Sequence, residues 1–382
     1  MTPLFDRALR IAVGVNGIGM GHASRQAALA EHLRRCGHEV QFIATGGGAQ
    51  HLRGLGFTVH ESWMPTLIAS RGRVRWWPAI TANIGNLHDG LRRYRAIAQV
   101  LRRTGVPDVF ITDYEPAASY LAYQFDRPLL SIDQQSKFRF LDLPDIGAYT
   151  PTADRQRLSW FTPHATRAFI CSFVPLAAPN ASIEIIPPLL ADDVWHSTPT
   201  SEPVITAYFS RYFGHGPNAS ARALARIVAD NLPEISLRIY AHDADARQLV
   251  DLNSADDRIV VRRFDRASFL ADLARSRCLV ANAGFNLIAE AALLGKPQLL
   301  IPLPTYDQHW CARTVHDQHL GVASPNVTLN SLLALLDRTD EISSRAQRLR
   351  DEFLAKDARP LIAQHIERLA TRKTNPDRVS TR

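Results

Sequence analysis

Short apolar runs alternate with helical patterns along almost the whole 382-residue chain. Alternation of this kind is typical of parallel sheets that carry helices on both faces. The runs that predict strands are residues 10–15, 39–45, 108–113, 128–133, 168–173 and 182–186 in the first half, and 204–210, 237–242, 258–264, 278–282 and 298–302 in the second. The sequence therefore predicts an α/β protein with two sheets of similar construction.

The break between the two series of strands marks a domain boundary. Two successive prolines, Pro187 and Pro188, cannot lie inside a helix or a central strand, and a polar stretch without strands follows them. A chain of this length also suits two domains better than one core. We therefore predict a Rossmann-like domain over residues 1–187, a linker over 188–202, a second Rossmann-like domain over 203–372 and a disordered tail over 373–382. Two such domains imply a cleft between them, the usual place for a ligand.

Composition argues against several classes of protein. The four cysteines are scattered without a C-x-x-C pair, so they suggest neither a disulfide framework nor a zinc site. Their expected setting is a reducing cytoplasm. No apolar run reaches the roughly 18 residues of a membrane span, and the N-terminus does not resemble a signal peptide. We expect a cytoplasmic globular protein.

The net charge of +7 is concentrated in one segment. Residues 71–103 carry eight arginines and a single acidic residue, Asp89, so they account for the whole excess. One interpretation is solvated helix arginines beside a packed tryptophan pair. The other is a basic, aromatic patch that faces an anionic acceptor or an anionic membrane surface. The acceptor-side residues of that second interpretation are Arg71, Arg73, Arg75, Trp76 and Trp77. A nucleic-acid partner is not expected, because such proteins usually spread basic residues over a face with interleaved aromatics.

A glycine-rich turn, Gly17-Ile18-Gly19-Met20-Gly21-His22, follows the first predicted strand and opens a helix predicted over residues 23–36. Glycines at such a turn let the backbone approach a ligand and leave helix amides open to an anion. His22 adds a group that can exchange a proton near neutral pH. A dinucleotide fingerprint would need glycine where His22 stands and a carboxylate after the second strand, where the chain has Thr45 and three glycines. The turn therefore argues against an NAD enzyme.

The segment from Cys278 to Pro297 predicts a strand, a turn of small residues and a helix. The small residues leave the helix N-terminus open to phosphate. Glu290 lies about one and a half turns inside this helix, where a carboxylate can accept from two adjacent sugar hydroxyls. After the next strand, a loop rich in hydrogen-bonding groups stands at the edge where open α/β sheets bind ligands. This half of the chain predicts a nucleotide-sugar site.

This order of features, followed by G-x-P, a strand and Asp307-Gln308, resembles the donor site of the two-domain (GT-B) glycosyltransferases. The likeness is closest to the branch that contains the peptidoglycan N-acetylglucosaminyltransferase and the plant, antibiotic and other microbial UDP-glycosyltransferases. The G-x-G-H turn ending in His22 and the prolines at the linker match as well. The resemblance covers residues 10 to about 330. It implies an inverting, metal-independent transferase with a nucleotide sugar, a UDP-sugar or a dTDP-sugar, as co-substrate and no other cofactor.

The resemblance also implies roles for named residues. Glu290 would bind the donor ribose, Phe264 the base, and Asp307 with Gln308 the donor sugar. The other donor-binding residues are Gly19, Gly21, Ser210, Asn282, Gly284, Phe285 and Asn286. Two positions depart from the pattern. Ala283 replaces a serine or histidine donor, so that Asn282 or Asn286 would substitute, and Cys311 replaces an asparagine. Both departures leave the identity of the sugar open.

Glycosyl transfer needs an acceptor hydroxyl that loses its proton as it attacks and a diphosphate that is stabilised as it leaves. His22 is the expected base, and helix dipoles with backbone amides can serve the diphosphate without a metal ion. Asp113 would hold the histidine tautomer, although a helix N-cap is its simpler role, and Glu115 is the alternative base. One base with direct displacement gives inversion. The single Asp-x-Asp string, Asp243 to Asp245, fits a surface loop and is not assigned to a metal.

Three functions stay open at this point. The first is an inverting glycosyltransferase that acts on a natural product, a lipid or a cell-envelope saccharide, with the inner face of the membrane as one location. The second is a sugar-nucleotide 2-epimerase on the same fold. The third is a non-catalytic partner subunit that binds a sugar nucleotide. The sequence favours the first, because the turn from Gly17 to His22 is not shared in this form by the epimerases.

Overall fold

The computed structural model describes residues 7–17, 20–66, 68–70, 73–210 and 218–372. Two structural units divide the chain. The first unit consists of Met1–Ala191 together with Lys356–Arg382, and the second consists of Asp192–Ala355. Each unit is built on its own parallel sheet, as the alternation of strands and helices predicts.

The sheet of the first unit is formed by β1 (Arg10–Val15), β2 (Glu39–Ala44), β3 (Thr58–Glu61), β6 (Val109–Asp113), β7 (Leu129–Asp133), β8 (Arg167–Cys171) and β9 (Ile183–Ile186), and β4 (Ala69–Ser70) pairs with β5 (Arg73–Val74) in a separate antiparallel ribbon. The strand order across the sheet is β3-β2-β1-β6-β7-β8-β9, and each pair of neighbours is parallel. Strands β6 and β7 are buried along their whole length. Burial on both faces explains why each strand begins with successive apolar residues rather than with an alternation of apolar and polar ones.

The helices that follow these strands are α1 (Gly21–Arg35), α2 (Gly46–Gly54), α3 (Trp76–Ile84), α4 (Leu87–Thr104), α5 (Pro116–Gln124), α6 (Lys137–Phe140) and α7 (Thr152–Phe161). Helix α1 follows directly on the glycine turn, and its inner face is lined by small residues such as Ala23, Ala27 and Ala30, all buried. The turn itself is tight, because a Cβ on Gly17 would lie 2.3 Å from the Thr45 carbonyl oxygen. Glycine at this position therefore allows the loops after β1 and β2 to meet.

The sheet of the second unit contains β10 (Glu202–Tyr208), β11 (Ser236–Ala241), β12 (Ile259–Arg263), β13 (Ser276–Ala281), β14 (Gln298–Leu300) and β15 (Gly321–Ala323), in the order β12-β11-β10-β13-β14-β15. Its helices are α8 (Asp192–Trp195), α9 (Asn218–Asn231), α10 (Asp243–Leu249), α11 (Leu252–Ala255), α12 (Arg266–Arg275), α13 (Phe285–Leu293), α14 (Tyr306–Asp317), α15 (Leu329–Leu336) and α16 (Thr339–Leu349), and a π-helical turn follows at Arg350–Leu354. Apolar side chains of β10, β11 and β13 pack with α9 and α15 in one core.

The last helix, α17 (Arg359–Arg372), belongs to the first unit. Its Glu367 carboxylate lies 3.4 Å from His38 Nε2, and the His365 ring stands edge-on to Phe169 at 5.3 Å. Ile362 and Ile366 are fully buried. The sequence interpretation placed this stretch in a second domain over residues 203–372, and the structure corrects it. An amphipathic pattern shows that a helix has an apolar face, but not which core will cover that face.

The predicted linker over residues 188–202 also differs from the structure. Leu189 and Leu190 are buried, and helix α8 follows within the second unit. The predicted strands are all present, each within two residues of its predicted ends. Strands β3, β4, β5 and β15 were not predicted, because they are short and, in β3, half-polar. The predicted tail over residues 373–382 lies outside the described residues.

Candidate functional site

In the first unit, His22 lies in the opening turn of α1 and Asp113 is the last residue of β6. Strands β1 and β6 are neighbours in the sheet, so the loop after one and the end of the other meet at the same edge. The distance between His22 Nδ1 and Asp113 Oδ1 is 2.7 Å. The structure thus brings together the two residues that the sequence interpretation paired.

The sequence interpretation missed Arg25, which holds the same carboxylate. Arg25 Nε donates to Asp113 Oδ2 at 2.6 Å, and its terminal nitrogen Nη2 donates to Oδ1 at 2.5 Å. Gln26 Nε2 also donates to Asp113 Oδ2, at 2.9 Å. Arg25 lies three residues after His22, so both occupy one face of α1. This helical spacing was the signal in the sequence that could have revealed it.

The charges in this cluster reinforce one another. Burial acts to raise the pKa of Asp113, but the positive charge of Arg25 and the contact with His22 outweigh it and lower that pKa to about 2. Burial likewise acts to lower the pKa of Arg25, and its contact with Asp113 holds that pKa above the usual value instead. Asp113 therefore keeps its negative charge at neutral pH although it has no exposed surface.

Two further residues orient the His22 ring. Gln135 Nε2 lies 3.4 Å from His22 Nε2, and the Tyr114 ring stacks on the imidazole with 6.3 Å between centroids and 15° between planes. Tyr114 has a φ of 58°, an uncommon value for a residue with a side chain. Asn16 Nδ2 supports this conformation by donating to the Tyr114 carbonyl at 3.1 Å. The His22 side chain keeps 12% of its surface exposed.

Glu115, the alternative base, is the N-cap of α5. Its Oε2 accepts from the Ala118 amide at 2.8 Å, and its Oε1 accepts from the Ser62 hydroxyl at 3.0 Å. Burial raises the pKa of Glu115 to about 7, although these hydrogen bonds act in the opposite direction. Its side chain has no exposed surface, so the structure does not present it to a ligand. The capping role that the sequence interpretation gave to Asp113 therefore falls to Glu115.

The arginine-rich segment forms an exposed surface on α3 and α4. Trp77 is 78% exposed, so it is not part of a packed tryptophan pair, and the exposed apolar surface continues over Ile80, Ile84, Leu87 and Leu91. We call these five residues, together with Arg75, the arginine–tryptophan surface. Arg75 is the exposed N-cap of α3, Arg73 lies in β5, and Trp76 begins α3. Arg71 lies outside the described residues.

Not every arginine of the segment is free to attract a ligand. Arg92 and Arg93 both donate to Asp89, at 2.7 Å each, and Arg93 also lies 3.2 Å from Glu61. Arg102 lies over the Phe125 ring at 5.4 Å. The positive charge of the segment is therefore partly balanced within the first unit.

In the second unit, Asn282 joins the ends of three neighbouring strands. Its Oδ1 accepts from the Ser210 amide at 2.8 Å, and its Nδ2 donates to the Ile301 carbonyl at 2.9 Å. Asn282 therefore has its side-chain oxygen and nitrogen bonded to main chain after β10 and β14. Its side chain ties strands together at this edge, and Asn286, the other residue expected to substitute for a donor at Ala283, lies half-buried in the first turn of α13.

Helix α13 begins at Phe285, and its N-cap residue, Gly284, has no side chain that could cap it. Gly284 is the N-cap, and a Cβ added there would meet no atom within 4 Å. Phe285 itself is buried. The N-terminus of this nine-residue helix lies at the carboxyl edge of the sheet, and the positive end of its dipole is suited to an anionic group.

Glu290 is 8% exposed and is paired with Arg266, a residue that the sequence interpretation missed. Arg266 Nη1 lies 2.9 Å from each oxygen of that carboxylate. The same guanidinium donates through Nε and Nη2 to Asp193, at 3.0 and 3.1 Å. Burial raises the pKa of Glu290, and Arg266 opposes this shift. No spacing rule links residues 193, 266 and 290, so only the fold reveals the cluster.

The remaining predicted donor residues occupy the same sheet edges. Phe264 follows β12 and is half-buried beside Tyr208, with 5.1 Å between ring centroids. Asp307 and Gln308 lie in the first turn of α14, and Gln308 Oε1 accepts from the Leu303 amide at 3.3 Å. Cys311 Sγ lies 3.8 Å from Asp307 Oδ1, where the resemblance predicts asparagine. Gly21 is the first residue of α1, whereas Gly19 lies outside the described residues.

Asp243 and Asp245, the Asp-x-Asp string, lie in the first turn of α10, and Asp243 pairs with Arg263 at 2.5 Å. Across the described ranges, no three His, Cys, Asp or Glu side chains are grouped so as to hold a metal ion. In the same ranges, no helix combines the length and the apolar character that crossing a membrane requires.

Two α/β units of this construction define the GT-B class of fold, which the glycosyltransferases share. The chain belongs to glycosyl transferase family 1, whose family model matches residues 9–338. It is a glycosyltransferase. The resemblance stated from the sequence is thereby confirmed, as is the α/β fold class.

The sequence is similar to the UDP-N-acetylglucosamine–N-acetylmuramyl-(pentapeptide) pyrophosphoryl-undecaprenol N-acetylglucosamine transferase of Rhodopseudomonas palustris (strain BisA53). The two are 29% identical over 137 residues, which make up 31% of this chain and 37% of that protein. The match thus spans little more than a third of that relative.

The fold is similar to that of several solved glycosyltransferases. For the calicheamicin glycosyltransferase CalG4 the TM-score is 0.70 at 18% identity, covering 97% of this chain and all of that one. For VinC in complex with dTDP the TM-score is 0.67 at 16% identity, covering 95% and 100%. For UDP-glucose: anthocyanidin 3-O-glucosyltransferase in complex with UDP it is 0.66 at 15% identity, again covering 95% and 100%.

Proposed function

We propose that this glycosyltransferase moves a sugar from a nucleoside diphosphate donor to an acceptor hydroxyl, with inversion at the anomeric carbon and without a metal ion. The observation that carries the proposal is the 2.7 Å contact between His22 Nδ1 and Asp113 Oδ1. When the Nδ1 proton is donated to Asp113, Nε2 keeps a lone pair that can accept the proton of the hydroxyl.

The proposed reaction is a single displacement. The acceptor oxygen forms a bond to the anomeric carbon while the bond from that carbon to the diphosphate oxygen breaks. The hydroxyl proton passes to His22 Nε2, and the nucleoside diphosphate leaves with the bonding electrons. Asp113 stabilises the imidazolium that results, and Arg25 keeps Asp113 ionised. One displacement without a covalent sugar intermediate inverts the anomeric centre.

The donor is assigned to the second unit. The N-terminal end of α13 would hold the diphosphate, Glu290 the ribose and Phe264 the base, with Asp307 and Gln308 on the sugar. VinC and the anthocyanidin 3-O-glucosyltransferase are described as complexes with dTDP and UDP. These complexes support a UDP-sugar or a dTDP-sugar as donor.

The acceptor is assigned to the first unit, which carries the base and the arginine–tryptophan surface. The structural neighbours include glycosyltransferases of calicheamicin and of spinosyn, one of them solved with spinosyn aglycone. They support a natural-product hydroxyl as acceptor. The exposed Trp77 beside arginines also supports a lipid-linked or otherwise anionic acceptor. With such an acceptor, the protein would be cytoplasmic and would contact the inner face of an anionic membrane.

The test begins with donor binding. The full chain is heated with UDP-glucose, UDP-N-acetylglucosamine, dTDP-glucose or, as a control, NAD, because a bound donor raises the unfolding temperature. Stabilising donors are then incubated with panels of aglycone and lipid-phosphate acceptors, with EDTA and with added manganese. We expect a new glycoside of inverted anomeric configuration by NMR, formed equally in EDTA. Retention, complete loss in EDTA that manganese restores, an epimerised donor or no product with any acceptor would contradict the proposal.

A further inference from the structure

We propose that Gln135 holds the imidazole of His22 in the form that can act as a base and binds the acceptor hydroxyl beside it. Gln135 follows β7 and has 9% of its surface exposed. No motif in the sequence marks this residue. The inference rests on the proposed role of His22, and its test therefore includes a measurement that does not depend on transfer.

The contacts at Nδ1 alone do not decide which nitrogen of His22 carries the proton. Asp113 Oδ1 and Arg25 Nη2 both lie 2.7 Å from His22 Nδ1. A proton on Nδ1 would be accepted by Asp113. A lone pair on Nδ1 would instead accept from Arg25, which would place the proton on Nε2 and leave that nitrogen unable to act as a base.

Gln135 resolves this choice. Its Oε1 lies 3.3 Å from Arg25 Nη2, and a guanidinium can only donate, so the amide oxygen faces Arg25. The amide nitrogen of Gln135 consequently faces His22 Nε2, at 3.4 Å. An NH₂ group pointing at Nε2 favours a lone pair on that atom. The proton is then on Nδ1, where Asp113 accepts it. Arg25 thus has two effects: it keeps Asp113 ionised, and it orients the side-chain amide of Gln135.

The same geometry places Gln135 at the position of the acceptor. A hydroxyl that gives its proton to Nε2 must come within hydrogen-bond distance of that atom, where the Gln135 amide now lies. An arriving hydroxyl would take over the contact to Nε2, and its oxygen can accept from the displaced amide. Gln135 would then hold the nucleophilic oxygen in place while its proton passes to His22 Nε2.

The charged groups around the ring set the direction of the expected effects. Asp113 and Arg25 contact the imidazole, and Asp133 and the thiol of Cys171 are near enough to Arg25 to act on its pKa. Gln135 donates to the neutral ring only. Its removal therefore destabilises the neutral form, and the imidazole takes up its second proton at a higher pH. A carboxylate at the same position would raise the protonation midpoint further.

The first measurement is the ¹⁵N NMR spectrum of the histidine-labelled full chain between pH 5 and 9. His22→Gln identifies the His22 signals. We expect the neutral ring of the parent to carry its proton on Nδ1. The pH at which half of the His22 rings are protonated, here called the midpoint, should rise by a few tenths of a unit in Gln135→Leu and by about one unit in Gln135→Glu. Gln124→Leu is the control for this kind of substitution, because Gln124 ends helix α5 and its side-chain oxygen accepts from Tyr94, at 2.8 Å.

A neutral parent ring with its proton on Nε2 would overturn the proposal, as would Gln135 variants with the parent's midpoint. A shift of the same size in Gln124→Leu would also overturn it, because the effect would then not depend on a contact with the ring. Should Gln135→Leu fail to fold, Gln135→Glu decides, since it keeps the acceptor for Arg25.

The second measurement uses the donor and acceptor pair found active in the panels. Gln135→Leu should raise the acceptor KM about tenfold and leave the dissociation constant of UDP unchanged. An unchanged acceptor KM would remove the acceptor-binding part of the proposal. The proposed role of His22 as base and the proposed role of Gln135 can fail separately. If His22→Ala keeps parental turnover while the NMR results are as expected, His22 is not the base, yet Gln135 still fixes its tautomer.

Discussion

Arg266 binds both carboxylate oxygens of Glu290 through a single guanidinium nitrogen, at 2.9 Å each. The charge of Glu290 is therefore balanced before any donor arrives, and its oxygens keep further lone pairs for hydroxyl groups. Asp193 on the other side of Arg266 fixes the guanidinium in turn. The proposed ribose site is thus a chain of three charged groups rather than one carboxylate.

Glu290→Ala should raise the dissociation constant of UDP at least tenfold, because the ribose hydroxyls lose their acceptor and Arg266 loses its partner. Isothermal titration of the folded variant with UDP measures this. Glu341→Ala is the control, since Glu341 pairs with Arg338 at 2.9 Å on an exposed helix face. Parental affinity in Glu290→Ala would remove Glu290 from the ribose site.

His22→Ala should lower kcat by about 10² to 10⁴, the usual contribution of a positioned general base. The affinity for UDP should hardly change, because the donor contacts are assigned to the second unit. Steady-state rates with saturating donor provide the measurement. His32→Ala, on the same helix α1, controls for effects on the helix itself. Turnover at the parental rate would show that another group accepts the proton.

Asp113→Asn should lower the free energy of unfolding by about 3–5 kcal/mol, because Arg25 would stay buried without its anion. Urea denaturation measures the loss. Replacing both partners, in Arg25→Leu with Asp113→Leu, should recover much of it, since no charge is then left unpaired. A single variant as stable as the parent would show that Arg25 finds another partner.

The same pair predicts a dependence on pH. The pKa of Asp113, about 2, lies below the value of about 3.9 for an aspartate in an unfolded chain. Its contribution to stability is therefore complete above about pH 4 and is lost as the pH falls toward 2. Urea midpoints measured from pH 5 downward should fall more steeply for the parent than for the double leucine variant. Parallel curves would contradict the assignment.

Glu115→Gln should stabilise the protein more at pH 8 than at pH 5. The pKa of Glu115, about 7, lies above the value of about 4.3 for a glutamate in an unfolded chain. Its contribution is present below about pH 4 and is lost as the pH rises through 7. Glutamine keeps an oxygen for the Ala118 amide and never ionises. The difference in unfolding free energy between the two proteins should grow by about 1–3 kcal/mol from pH 5 to pH 8, and a constant difference would refute it.

Charge reversal at Arg71, Arg73 and Arg75 should raise the KM of an anionic acceptor and leave UDP binding unchanged. The attraction should weaken with salt, because the Debye length falls to about 3 Å at 1 M. Arg247→Glu, on an exposed position of the second unit, controls for net charge. Kinetics that are insensitive to salt would instead favour Trp77 as an apolar platform for an uncharged acceptor.

The sequence predicted what depends on local pattern. Strands β6 and β7 are buried throughout and begin with apolar runs because both faces are covered, and the pairing of His22 with Asp113 follows from strand ends that meet at one edge. The spacing of three residues after His22 could place Arg25 on the same helix face but not against Asp113, and Arg266 had no such signal. Charged residues near the start of a helix are usually solvated, and only the packed fold shows that these two are held against carboxylates far away in the sequence.

Helix α17 determines which of the two structural units has all of its residues first during synthesis. The first unit lacks this helix until residue 372 has been made, whereas every residue of the second unit, Asp192–Ala355, is already present before α17 begins. During synthesis from the N-terminus, the donor half can thus finish folding while the half with His22 still waits for its last element. The nascent chain therefore acquires the proposed donor site before the proposed base stands in a finished domain.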